Sequence, residues 1–222
     1  MRKKIINYDE EFSYGCNANL YCDVSLESYY NYMSIYNSLI ESDNFENSYM
    51  KSSDELYKNY INCFLYSQMC IESILNYYIS LYLDEETREE IFDKLNIKQK
   101  LIFISKVLFN KKLNKGTRLF DSVGAVVKNR NDFVHNKTQY MNYSEEYNFD
   151  LNDLKKDILA DSKIIKKAII AIIEIATFLE DTKNENYILE MLFMCDFDKK
   201  EEQRYREKAV KDFKIKMNLD DF

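Results

Sequence analysis

The sequence predicts an all-α fold, and three observations carry that expectation. The 222 residues include no proline and only three glycines (Gly15, Gly116, Gly124), so the turn chemistry that sheets require is missing. Apolar residues make up 46% of the chain, enough to fill a core at this length. They recur at helical spacing over several long stretches. With no internal repeat and no linker, one helical domain over 25–195 is the simplest account, with an arm or loop at 1–24 and a charged C-terminal helix or tail at 196–222.

Taken in order, residues 1–24 show no period, whereas the apolar and tyrosine spacing from Ser25 to about Glu41 suits a helix. Ser52-Ser53-Asp54-Glu55 offers a capping box, from which a long helix is expected to reach about Leu83. Over 61–82 that helix is apolar nearly all round (Ile61, Phe64, Leu65, Ile71, Ile74, Leu75), the signature of a central, buried element. Short helices are expected at 84–95 and 97–110, then a basic loop from Asn110 to Gly116. Residues 118–136 suit another helix and 139–150 a loop. A second long helix is expected from about Asn152 to Glu180, its charges at 163, 166, 167 and 174 on one side. Charged helical pieces are expected at 184–195 and 198–213.

Several classes of protein are disfavoured. The N-terminus begins basic but reaches acid after two isoleucines, without the apolar run of a signal peptide. The greasiest stretch, Ile164 to Leu179, carries Lys166, Lys167 and Glu174 and is too short and too charged to span a bilayer. A cytoplasmic protein that does not enter membranes is expected. Five cysteines without a C-x-x-C pair, beside a single histidine, read as buried thiols in a reducing compartment, so neither structural zinc nor any other cofactor is expected. No glycine-rich phosphate loop, no G-x-S-x-G and no persuasive acidic metal cluster is present.

Net charge is −7, yet Lys94 to Lys137 holds eleven Lys/Arg against two acids, a local +9 that leaves −16 for the remainder. Such asymmetry suggests a local anion-binding face on a repelling body. Lys111, Lys112, Lys115, Arg118, Lys128 and Lys137 are the candidate phosphate contacts, the alternative being a solvated lysine-rich surface. Most of the 19 tyrosines and 14 phenylalanines sit at core spacing; Tyr140 and Tyr143 are the two candidates for base stacking.

The one candidate for chemistry is Arg130-Asn131-Asp132-Phe133-Val134-His135. On a helix, Leu119, Phe120, Val123, Val126, Val127, Phe133 and Val134 share an arc of roughly 140°. Arg130 occupies its centre, where an unpaired guanidinium is costly to bury. Asn131, Lys128 and His135 share one flank, and Asn131 lies four residues before His135, near enough to orient it. A histidine can take or give a proton at neutral pH. A guanidinium beside it can hold phosphoryl oxygens and stabilise developing charge. The competing reading pairs Arg130 with a buried acid such as Glu72 and leaves His135 as a packing residue.

Arg130-Asn131-x-x-x-His135 resembles the R-x4-6-H signature of HEPN domains, which often carries Asn directly after the arginine. Chance places Arg-Asn at this distance before the single histidine in roughly 0.3% of shuffled chains, so the motif is specific enough to carry weight. Lys100-Leu101-x-x-Ile104, the basic loop and the Val-rich helix agree with the resemblance, which spans about 55–180. It implies a bundle of four to five core helices with additional terminal helices, dimerising so that two motifs form one composite site. It further implies a metal-independent endoribonuclease of toxin–antitoxin or antiviral defence systems that leaves 2′,3′-cyclic phosphate ends, with Arg130, Asn131 and His135 at the site. RNA, a second copy of the chain and an antitoxin or defence-complex subunit are then the partners. Two alternatives stand beside it: a catalytically inactive HEPN-like subunit that binds RNA or protein, and a structural helical adaptor.

Overall fold

The computed structural model describes residues 17–110, 112–134 and 151–181, and all the regular structure among these residues is helical. Helix α1 (Ala18–Ile40) and helix α2 (Phe45–Ser80) form an antiparallel hairpin. Its turn is closed by Asn44, whose side chain accepts from the Asn47 amide at 3.2 Å. Two short helices follow. Helix α3 (Glu85–Thr87) runs on as a π turn over Arg88–Phe92, and helix α4 (Ile97–Phe103) as a second over Ile104–Leu108. A capping box of Asn96 and Gln99 starts α4, with both bonds at 3.0 Å. Asn110, at φ 50°, ends the second π turn, since asparagine tolerates the left-handed region. Helices α5 (Arg118–Val134) and α6 (Leu151–Asp181) complete the described bundle.

The result is an all-α bundle of four long helices closed on one side by α4. Helix α2 is central: it packs against α1, α4, α5 and α6, and Phe64, Ile71, Ile74, Leu75 and Ile79 on it are wholly buried. Helix α6 supplies the opposing wall with Ile165, Ile169, Ile172, Ile175 and Leu179. Burying a side chain of this kind stabilises the fold by about 1.5–3 kcal/mol relative to exposure.

Two helix starts differ from expectation. Helix α1 begins at Ala18, so 18–24 are helix and not arm; Ala18 and Cys22 are buried, and 1–16 lie outside the described residues. The buried stripe there is Ala18, Cys22, Ser25, Tyr29 and Tyr32. Small residues in place of large apolar ones hide the period while letting α1 approach α2 closely. Ser25 Oγ lies 2.6 Å from Ser67 Oγ and donates to the Cys63 carbonyl at 3.1 Å. Helix α2 starts at Phe45, capped by Asn44, and not at Ser52. The Ser52 hydroxyl turns back to the Ser48 carbonyl at 2.9 Å, inside the helix. Cys22, Cys63 and Cys70 are buried and none is in a disulfide, and burial pushes the Cys63 thiol up to about 12. Among the described residues no helix is long and apolar enough to cross a membrane. The pieces expected at 139–150, 184–195 and 198–213, and the tail at 196–222, lie outside the described residues.

Candidate functional site

Helix α5 buries Leu119, Ser122, Val123 and Val126 against the bundle, while Phe120 and Val127 are partly covered. Phe133 seats its last turn against α2: its ring lies 6.3 Å from Tyr57, 5.7 Å from Tyr60 and 6.2 Å from Phe64. Val134 departs from the expected apolar arc and is 51% exposed, as is Tyr57 at 56%. The bundle's cover has thinned by this level, so position on the helical arc no longer means burial.

Arg130 is half-buried on the covered side of α5. Its Nη1 donates to Asn131 Oδ1 at 3.2 Å, and among the described residues no carboxylate lies within 4 Å of it. The acid offered as its partner is engaged elsewhere: Glu72 Oε1 lies 3.4 Å from Lys100 Nζ. Lys100 is 2% exposed, donates to Asn76 Oδ1 at 2.8 Å and sits 5.1 Å from the centre of the Phe92 ring. The buried cation joining α4 to α2 is therefore Lys100. Asn131 is a partner of Arg130, and His135 lies outside the described residues.

Of the candidate phosphate contacts among the described residues, Lys112, Lys115 and Arg118 lie at the opposite end of α5 from the motif and Lys128 lies at the motif's end. Lys112 and Lys115 are exposed in the turn before α5, and Lys111 and Lys137 lie outside the described residues. Twelve residues of helix separate Arg118 from Arg130, about 18 Å at 1.5 Å per residue. Arg118 is already held by Glu174 Oε1 at 2.8 Å. Lys128 is exposed at the motif's end of the helix, on the flank that Asn131 shares. Part of the apparent +9 is thus met inside the molecule, since Lys100 and Arg118 pair with acids from α2 and α6. Tyr140 and Tyr143 lie outside the described residues.

A polar cluster beside the motif escaped the reading of the sequence. The Tyr60 hydroxyl on α2 donates to Asn129 Oδ1 on α5 at 3.3 Å, and Asn129 Nδ2 donates to the Ala125 carbonyl at 2.8 Å. Asp161 on α6 interacts electrostatically with the same Tyr60 hydroxyl. Tyr32 on α1 completes the group, its ring 5.8 Å from Tyr60 and its hydroxyl 3.3 Å from the Ile158 carbonyl. Burial raises the Asp161 carboxyl above the ordinary carboxylate range, partly offset by the Tyr60 bond, with Asp157 adding to the rise. Burial foremost, then the Asp161 charge, raises both Tyr32 and Tyr60. A signal was present: Asp161 falls on the apolar face of α6, in line with Ile158, Ile165 and Ala168, opposite the charges at 163, 167 and 174.

No protein-family model, curated protein or solved structure matches this chain.

Proposed function

We propose that this protein is a metal-independent endoribonuclease of the HEPN type, acting as a homodimer in the cytoplasm as a toxin or phage-defence effector. One observation supports this above the rest: Arg130 stands half-buried at the edge of the core with a neutral asparagine as its partner and no acid within 4 Å among the described residues. A guanidinium held that way keeps its charge for an external anion.

In this reading the 2′-hydroxyl of RNA attacks the adjacent phosphorus and the bond to the 5′-oxygen breaks, leaving a 2′,3′-cyclic phosphate and a 5′-hydroxyl. His135 of one copy takes the 2′-hydroxyl proton and that of the second copy protonates the leaving oxygen. Arg130 stabilises the charge on the phosphorane, and Asn131 holds the guanidinium in place. Lys128 and Lys137 would meet phosphates beside the site. Lys111, Lys112, Lys115 and Arg118 belong to the other end of α5 and would meet a separate stretch of the strand. The second reading is a non-catalytic RNA- or protein-binding subunit. It is favoured by the internal pairing of Lys100 and Arg118, which lowers the charge left for RNA.

The experiment is incubation of purified protein with mixed RNA in EDTA, wild type beside His135→Ala. Cleavage by the wild type alone, with cyclic phosphate ends, is the expected result. Equal cleavage by both sinks the mechanism, and cleavage by neither transfers the case to the binding subunit.

A further inference from the structure

We propose that Lys98, an ammonium held over α5 with no acid beside it, binds a second phosphate of the RNA strand whose first phosphate lies on Arg130. This rests on the nuclease reading only in taking the anion at Arg130 to be an RNA phosphate.

Helix α4 carries two lysines near its start, and their surroundings differ. Lys100 turns into the core, where Asn76 Oδ1 accepts from it at 2.8 Å and Glu72 Oε1 lies at 3.4 Å. Lys98 reaches across to α5 instead. Its Nζ lies 5.5 Å from the centre of the Phe120 ring, and a methyl group placed on Gly124 would stand 3.2 Å from that nitrogen. Lys98 is half-buried, and among the described residues no carboxylate lies within 4 Å of its ammonium. Its place in the first turn of α4 brings no compensation, because the helix dipole disfavours a cation there. A glycine inside a helix is less favourable than alanine, and the room left at Gly124 is where the Lys98 amine sits. Ring and notch together fix the ammonium and leave its charge for an anion from outside.

Lys98 and Arg130 share one side of α5. Gly124 and Asn131 are seven residues apart, so they point the same way and stand about 10 Å apart along the axis. The Arg130 guanidinium is drawn to that side by its 3.2 Å bond to Asn131 Oδ1. Half-buried Val127 and exposed Lys128 lie between the two levels. The acids of α5 leave this side clear. Asp121 is held by Lys167 at 2.8 Å, and Asp132 projects about 100° round the helix from Asn131. A strand laid along this side therefore meets Arg130, Lys128 and Lys98 in turn. Lys98 fills the gap along α5 between the exposed lysines before the helix and the motif at its end.

The test is fluorescence-anisotropy binding of a labelled single-stranded RNA to the full-length His135→Ala protein in EDTA, from about 0.05 to about 0.5 M KCl. Loss of one phosphate contact on a single strand lowers the log–log salt slope by about 0.7. Added to that background, Lys98→Gln should lower the slope by this much and weaken binding roughly 3- to 10-fold at the low-salt end. Lys98→Arg should restore the slope. Gly124→Ala should weaken binding without lowering Tm, because the added methyl displaces only the end of a flexible side chain. Lys163→Gln, at an exposed position on α6, should change nothing. An unchanged slope in Lys98→Gln, an equal loss in Lys163→Gln, or no RNA binding by the background protein overturns the proposal. So does a poly-glutamate peptide bound as tightly and with the same dependence on Lys98, which would make the partner an acidic protein. Wild-type cleavage is scored separately. Lys98-dependent binding without cleavage keeps this contact and removes the nuclease, and cleavage with Lys98-independent binding does the reverse.

Discussion

At the N-terminal end of α5, Arg118 reaches Glu174 at 2.8 Å and Asp121 accepts from Lys167 at 2.8 Å, so opposite charges are joined across the α5–α6 seam. Three helical turns later the same seam holds an arginine and an aspartate that are not joined. Arg130 is partnered by Asn131, and Asp161 interacts with Tyr60. Local composition does not explain the difference, because each end has a cation on α5 and an acid on α6. At the first end the ions meet across the two helices; at the second, Asn129 and Phe133 beside Arg130 tie to α2. A half-buried charge left without a counter-ion costs stability. Among the described residues, Arg130 and Asp161 at the C-terminal end of α5 lack the counter-ions that the charges at its N-terminal end have, which makes the C-terminal end the one to test for a role beyond folding.

The sharpest way to break this comparison is to remove one arginine from each end. Arg130→Ala is expected to lower RNA cleavage by about 10²–10³-fold, the usual loss when a preorganised donor to a developing oxyanion is removed, with thermal stability within experimental scatter. Arg118→Ala should do the reverse, leaving cleavage intact. Its ion pair is partly exposed, so about 0.2–1 kcal/mol of stability is at stake. Cleavage assays and denaturant titrations on the same preparations check both. If Arg118→Ala proves the more damaging to cleavage, the site has been assigned to the wrong end of the helix.

Next in size is the core against which both ends rest. Phe64 is wholly buried and carries Tyr60 at 5.1 Å and Phe133 at 6.2 Å. Phe64→Ala should cost about 3–5 kcal/mol in urea unfolding. It should also weaken the motif end more than the ion-paired end, which differential hydrogen exchange would report.

The smallest effect concerns Asp161 and has a definite sign. Its folded-state carboxyl is raised, so the native state holds this proton more tightly than the unfolded chain does. The contribution to stability is complete below the unfolded value, about 3.9, and is lost as pH rises through the folded value. Asp161→Asn should therefore raise Tm at pH 7, by a small amount because the site is only partly buried. At pH 3 it should leave Tm unchanged. An equal gain at both pH values would show that the carboxyl is not the source.

Much of the fold was legible in the residues. The missing proline, the scarcity of glycine and the all-round apolar stretch of α2 placed the long helices α2, α5 and α6 and the short pair between them. The misplaced starts share a cause. Ala18, Cys22 and Ser25 are small, and their value lies in letting two helices approach, which a count of large apolar residues cannot register. Ser52 and Glu55 have capping chemistry, but a helix already begun at Phe45 runs through them because its apolar face is covered.

For the site, the sequence by itself determined the types and their spacing: an arginine at the centre of an apolar arc, an asparagine after it, a histidine four residues further on. It also set the aspartate on the apolar face of α6. Only the tertiary structure decided which charges meet. Pairing depends on which flanks of separate helices face one another, and that depends on the crossing and register of whole helices, which residue spacing within one helix does not encode. That is why Glu72 belongs to Lys100 and Glu174 to Arg118, while Arg130 is left to its neighbouring asparagine.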